Sequence, residues 1–116
     1  MKRVLGLLAV AVLALTGCGG NAATQLEDGK LTVGMECDYA PYNWTTTKEQ
    51  AGEFAVPIKG STGYCDGYDV MIASKVAKDL GVDLEVKKIA WDGLIPALQS
   101  NEIDVIIAGM SLTNER

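Results

Sequence analysis

The chain of 116 residues contains no histidine. The side chain most often used as a general base near neutral pH is therefore missing. No Cys-x-x-Cys pair, no glycine-rich phosphate loop and no Gly-x-Ser-x-Gly elbow occurs. Those gaps remove the redox, phosphate-cradling and acyl-transfer motifs that a sequence most readily shows. The acids are scattered without metal-ligand spacing, so neither a metal nor another cofactor is expected. Basic residues are outnumbered, 10 Lys and Arg against 15 Asp and Glu, for a formal net charge of −5. An acidic surface repels phosphate backbones and anionic head groups alike, which excludes nucleic acid and the bare membrane surface as electrostatic partners. Long apolar runs are also lacking. The run at residues 4–15 is too short to cross a bilayer as a helix.

What that run does have is the right company for an export signal. Lys2 and Arg3 precede it, and Leu15-Thr16-Gly17-Cys18 closes it with small residues before a cysteine. The ending resembles the lipobox of bacterial lipoproteins, in which the cysteine is lipidated and becomes the new N-terminus. A signal peptide cut elsewhere, or a single membrane anchor, are the other readings. On the lipoprotein reading, residues 1–17 are removed and Cys18 carries the lipid anchor. The mature chain then has eight basic and fifteen acidic groups, a formal charge of −7. Residues 18–30 hold the lipidated cysteine and a flexible tether. Cys37 and Cys65 remain, an even pair in an oxidising compartment. Bonded, they close a loop of about 28 residues, for about 3 to 4 kcal/mol in the chain-entropy model. Two free thiols are the alternative.

Residues 31–116 read as alternating strands and helices. Leu31-Thr32-Val33-Gly34-Met35 is the first strand, and a loop dense in aromatics and acids follows, from Glu36 through Tyr39 to Trp44. Such a loop suits a polar ligand with an apolar stem, although aromatics also serve as packing. Residues 45–64 show no sustained period and read as a loop or short hairpin. Asp66-Gly67-Tyr68-Asp69 opens a helix with Ile72, Val76 and Leu80 on its packing face, Ala73 and Ala77 alongside them, and Gly81 as its stop. Val82, Leu84 and Val86 alternate as a second strand. Asp92 is placed to cap a second helix running to about Gln99, with Trp91 just before it and Pro96 in or beside its first turn.

The uncharged run at residues 105–107 reads as a third strand, buried on both faces and breaking at Ala108-Gly109. Thr113 is expected to cap a further helix. Amides around Gly109 to Ser111, two hydroxyls and the Arg116 guanidinium can then converge on one planar carboxylate. An ordinary strand-to-helix turn ending in a surface arginine is the alternative. The rhythm predicts an α/β fold, a parallel sheet of order 2-1-3 with helices on both faces. Ligands bind beyond the carboxyl ends of strands where such an order reverses. Glu36, Tyr39, Trp91, Gly109, Ser111 and Arg116 all follow strand ends, so all are expected on one edge.

Val33-Gly34-Met35-Glu36, Tyr39-Ala40-Pro41-Tyr42, Gly67-Tyr68-Asp69-Val70, Trp91-Asp92-Gly93-Leu94-Ile95-Pro96-Ala97-Leu98 and residues 104–116 together resemble the polar amino acid family of bacterial solute-binding proteins, the extracytoplasmic receptors of ABC importers. The resemblance implies a periplasmic-binding-protein-like first lobe, incomplete here, with the second lobe absent, so that the sequence is expected to be an N-terminal fragment. It implies a free amino acid as ligand and a permease in the membrane as partner, for a monomer held outside the cytoplasmic membrane by its lipid. By matching position, Tyr39 and Trp91 flank the ligand side chain. Gly109, Ser111 and Arg116 take its carboxylate, and Glu36 reaches a polar or basic end. Ala108 stands where some members carry a serine, and residues 45–64 exceed the family's usual hairpin. An exported dehydratase-like enzyme on the same scaffold and an orphan surface lipoprotein are the other readings.

Overall fold

The computed structural model describes Leu26 and residues 28–115. In chain order the elements are β1 (Lys30–Met35), β2 (Asp38–Tyr39), β3 (Asn43–Thr46), a 3₁₀ turn (Lys48–Gln50), β4 (Val56–Pro57), β5 (Tyr64–Asp66), α1 (Tyr68–Leu80), β6 (Asp83–Lys88), α2 (Trp91–Gln99) and β7 (Val105–Ile106). Cys18 and the leader lie outside the described residues. Leu26 is half-buried against the core and the Gly29 amide bonds to its carbonyl, so folded structure begins inside the expected tether. No helix among the described residues is long and apolar enough to cross a membrane.

β6, β1 and β7 form a parallel sheet in that order, which is the expected 2-1-3 arrangement. β1 is the middle strand, and residues 31–35 are all buried. Side chains alternate along a strand, so successive residues of β1 serve opposite faces. The Gly34 face takes α2: a Cβ there would lie 2.5 Å from Ile103 Cδ1 and 3.1 Å from Leu94 Cδ2. Glycine is what lets the helix layer come this close. The opposite face takes Met35 toward the second sheet, its sulfur 3.5 Å from Cys65 Sγ. Asp104 fixes the start of β7. Its carboxylate accepts the Thr32 amide and its own amide donates to the Thr32 carbonyl, both at 2.8 Å.

Helix α1 buries Asp69, Val70, Ala73 and Ala77, not the expected row of Ile72, Val76 and Leu80. Val76 and Leu80 are 37% and 44% exposed. Both rows repeat every fourth residue, so periodicity alone could not separate them. The small alanines allow a closer approach to the sheet than the larger row does. Gly81 ends the helix in the left-handed conformation, as expected, its amide shared between the Ala77 and Lys78 carbonyls.

The segment read as a loop or short hairpin at residues 45–64 carries β4 and the adjoining ends of β3 and β5, in a second, antiparallel sheet of order β2-β3-β5-β4. Its strands are two to four residues long, too short for a period to show. Cys37 and Cys65 are disulfide-bonded across it, with Cα atoms 5.6 Å apart and both residues buried. Lys59 ties this sheet back to the first one. Its amide donates to the Val86 carbonyl at 2.9 Å and its ammonium to Glu85 Oε1 at 2.9 Å, with Lys30 3.6 Å from the other Glu85 oxygen.

The hydrogen bond from Lys59 holds the Glu85 carboxyl below its ordinary range, with the charges of Lys59 and Lys30 acting in the same sense against partial burial. A carboxylate whose folded pKa is depressed adds stability above its unfolded value, and that stability is lost as pH falls through the folded one. Glu85→Gln is expected to lower stability near neutrality by about 0.2–1 kcal/mol, because both lysines are half-exposed. The gap to the native protein should close in thermal melts taken from about pH 7 down to about pH 3. A gap that persists in acid would contradict the ion-pair account.

Candidate functional site

Three parallel strands end on one edge, and the loops leaving them meet there. Glu36 follows β1, Trp91 opens the helix after β6, and Gly109 and Ser111 follow β7. Tyr39 arrives on β2. These five residues line one cavity of about 350 Å³. It sits where the connection from β1 runs one way across the sheet and that from β6 the other, the usual crevice of an open α/β sheet. Arg116, expected as the sixth member, lies outside the described residues. Among the described residues, no three potential metal-ligating side chains come together.

Glu36 has a structural task at this edge. Its Oε1 accepts the Trp91 amide at 3.0 Å, at the start of α2. The N-terminal amides of a helix lack partners within it and carry the positive end of its dipole, so a carboxylate is well placed there. This corrects the expectation that Asp92 caps the helix. The residue at the cap position is Ala90, which offers no side-chain acceptor, and Asp92 falls in the first turn. With its cap supplied by Glu36, α2 starts at Trp91, which is its first residue and not the one before it. Pro96 consequently sits in the second turn, where its missing amide would have bonded the Asp92 carbonyl.

Tyr39 forms the facing wall, and its ring packs on that of Tyr42. Their ring centroids are 5.1 Å apart and tilted by 33°, and both side chains are partly exposed. The turn between them is closed by the Tyr42 amide on the Tyr39 carbonyl at 2.9 Å. Tyr42 was not among the expected site residues, although it stands in the same short aromatic run. The rings rest on Gly109. That residue has φ +62°, and a Cβ on it would lie 3.2 Å from Tyr39 Cε1 and 3.6 Å from Tyr42 Cγ.

Beyond Gly109 the expected helix does not form. Residues 111–113 are irregular and exposed, Leu112 is 96% exposed, and a turn follows at Asn114 and Glu115. The expected strand shortens as well, to Val105–Ile106, while Ala108 is buried beneath the turn.

An open parallel sheet with helices on both faces and a cavity at its strand ends is the architecture of a periplasmic-binding-protein-like first lobe. Residues 31–116 match the bacterial extracellular solute-binding proteins, family 3, and the chain belongs to that family. It is 34% identical over 119 residues to the arginine-binding extracellular protein ArtP of Bacillus subtilis, covering all of this chain and 41% of that one. It is 31% identical over 120 residues to the L-cystine-binding protein TcyJ of Escherichia coli, covering 99% and 40%. The chain thus spans about two fifths of the length of these curated relatives. Among solved structures, the arginine-bound form of domain 1 from TmArgBP, a T. maritima protein, matches with a TM-score of 0.60 at 37% identity, over 78% of this chain and 60% of that one.

Gly109 offers a direct check on the wall. Gly109→Ala is expected to cost about 1–2 kcal/mol, since the left-handed conformation penalises a Cβ and the new methyl presses on Tyr39. Urea unfolding measures it. An unchanged midpoint would mean that the backbone does not hold this turn against the rings.

Proposed function

We propose that the protein is the receptor subunit of an ABC importer and captures a polar or basic amino acid outside the cytoplasmic membrane. One observation carries the reading: Glu36, Tyr39, Trp91, Gly109 and Ser111, up to 75 positions apart in the chain, share one cavity. Tyr39 and Trp91 are assigned to the two sides of the ligand side chain. The Gly109 amide, the Ser111 hydroxyl and the Arg116 guanidinium are assigned to the α-carboxylate, the planar group that suits a bidentate arginine. Glu36 Oε1 is engaged by α2, and Oε2 is assigned to the polar or cationic end of the ligand. The arginine-binding relatives support a cationic ligand, and the cystine-binding one is named for an amino acid with no net charge.

Capture of this kind needs no bond making and no cofactor. The ligand is then handed to a permease in the membrane. The basic start, the apolar run and Leu15-Thr16-Gly17-Cys18 support a monomer tethered through lipidated Cys18 to the outer face of that membrane, in the periplasm or at the cell surface. A mature chain recovered with a free thiol at Cys18 would remove the tether.

Substitutions separate the two ends of the ligand. Glu36→Gln keeps an oxygen for the Trp91 amide and removes the charge. It is expected to weaken cationic amino acids about 10- to 100-fold and neutral ones by less than about threefold, the scale of a lost charge-assisted hydrogen bond. Arg116→Ala should weaken all α-amino acids by a similar factor. Calorimetry with L-arginine and L-glutamine distinguishes these patterns, and equal losses for both ligands in the Glu36 variant would strip Glu36 of its role.

A further inference from the structure

Asn43 and Asp69 form a polar pair in the core, where Thr32 and Asp66 are also buried. Asn43 is fully buried and Asp69 is 5% exposed, and the Asn43 amide donates to Asp69 Oδ2 at 2.8 Å. Burial pushes the Asp69 carboxyl upward, and the bond from Asn43 offsets part of that. Among the described residues, nothing pairs with Asn43 Oδ1. A desolvated carboxylate and an orphaned amide oxygen set against one charge-assisted bond leave little net stabilisation. An apolar pair of the same volume is expected to cost little there, the first-turn position of Asp69 notwithstanding. Stability therefore does not account for the pair, whereas its position does.

Asn43 is the β3 residue directly across from Tyr39 on β2. The Asp69 amide donates to the Tyr42 carbonyl at 2.8 Å, so one residue in the first turn of α1 grips two consecutive residues of the hairpin. β2 is only two residues long and both are exposed, so beyond the disulfide at Cys37 and the ring of Tyr39 little fixes its register. Short exposed strands slip easily, and a buried polar contact is a known way to specify register at the expense of stability. The register matters here because the Tyr39 ring must meet the backbone at Gly109.

We infer that the Asn43 and Asp69 pair is a register pin that seats the β2–β3 hairpin so that the Tyr39 ring closes on Gly109, and through that ring tunes ligand affinity. Asn43 and Asp69 are positioning residues. The effect on affinity rests on the amino-acid-binding reading above, but the seating of the ring does not.

The test replaces the pair on the intact protein. Asn43→Val with Asp69→Ala keeps the combined volume and suits strand and helix respectively. The double variant is expected to melt no lower than the native protein, to lose the nuclear Overhauser contact between the Tyr39 ring and Gly109, and to bind L-arginine at least about fivefold more weakly. Asp69→Asn, which preserves a hydrogen bond to Asn43, should retain the contact and bind within about twofold of the native protein. Retention of the ring contact in the double variant overturns the inference, and so does failure of that variant to fold, because the pair would then be a stability element. Loss of the contact in Asp69→Asn overturns it too. Ring contacts that respond as stated in a protein that binds none of the twenty amino acids would refute the receptor reading and leave the pin standing.

Discussion

Burial of β1 on both faces and both edges is the constraint from which the rest of the molecule follows. A strand with no exposed face must carry apolar or small residues throughout, and residues 31–35 do. Parallel neighbours on each side force the chain to cross the sheet twice, once over each face. All three strands consequently run out at the same edge, and the polar residues beyond their ends have nowhere else to meet. The cavity is thus a by-product of topology, and the side chains placed there decide what it can hold.

At that edge the same groups serve structure and site together. Glu36 completes the amide array of α2 while its carboxylate faces the cavity, so its orientation is set by a backbone partner and not by a flexible side chain. Gly109 keeps the β7 turn in a left-handed conformation and lets two aromatic rings lie on the backbone. The disulfide between Cys37 and Cys65 joins the residue after Glu36 to the second sheet, which supports the hairpin bearing Tyr39. On the receptor reading, a cavity held in this way would lower the ordering cost of binding.

Much of this could be read from the residues, and the failures have definite causes. The strands of the first sheet and their order showed through, because β1 and β7 are short, mostly uncharged runs, β6 alternates apolar with charged residues, and the alternation with helices restricts the topology. The second sheet did not. Its strands are two to four residues of Thr, Asn, Tyr and Pro, held by a disulfide and by pairing to distant segments, and no local pattern encodes that. The buried face of α1 was misread because two rows share one period and the larger side chains lie on the exposed row. The start of α2 was misplaced because its cap comes from Glu36, 55 residues earlier. The cavity residues could be named because each follows a strand end, while their separate roles came from family resemblance and not from spacing.

The central claim is that Glu36, Tyr39, Trp91, Gly109 and Ser111 receive one amino acid together. Amide chemical shifts recorded while L-arginine is added test it most directly, since each of these residues has a backbone amide of its own. The account predicts saturable shifts at all five, with little change at the opposite end of the sheet around Leu80, Leu98 and Asn101. Shifts confined to that opposite end, or absent from the strand-end residues while the ligand binds, would contradict it.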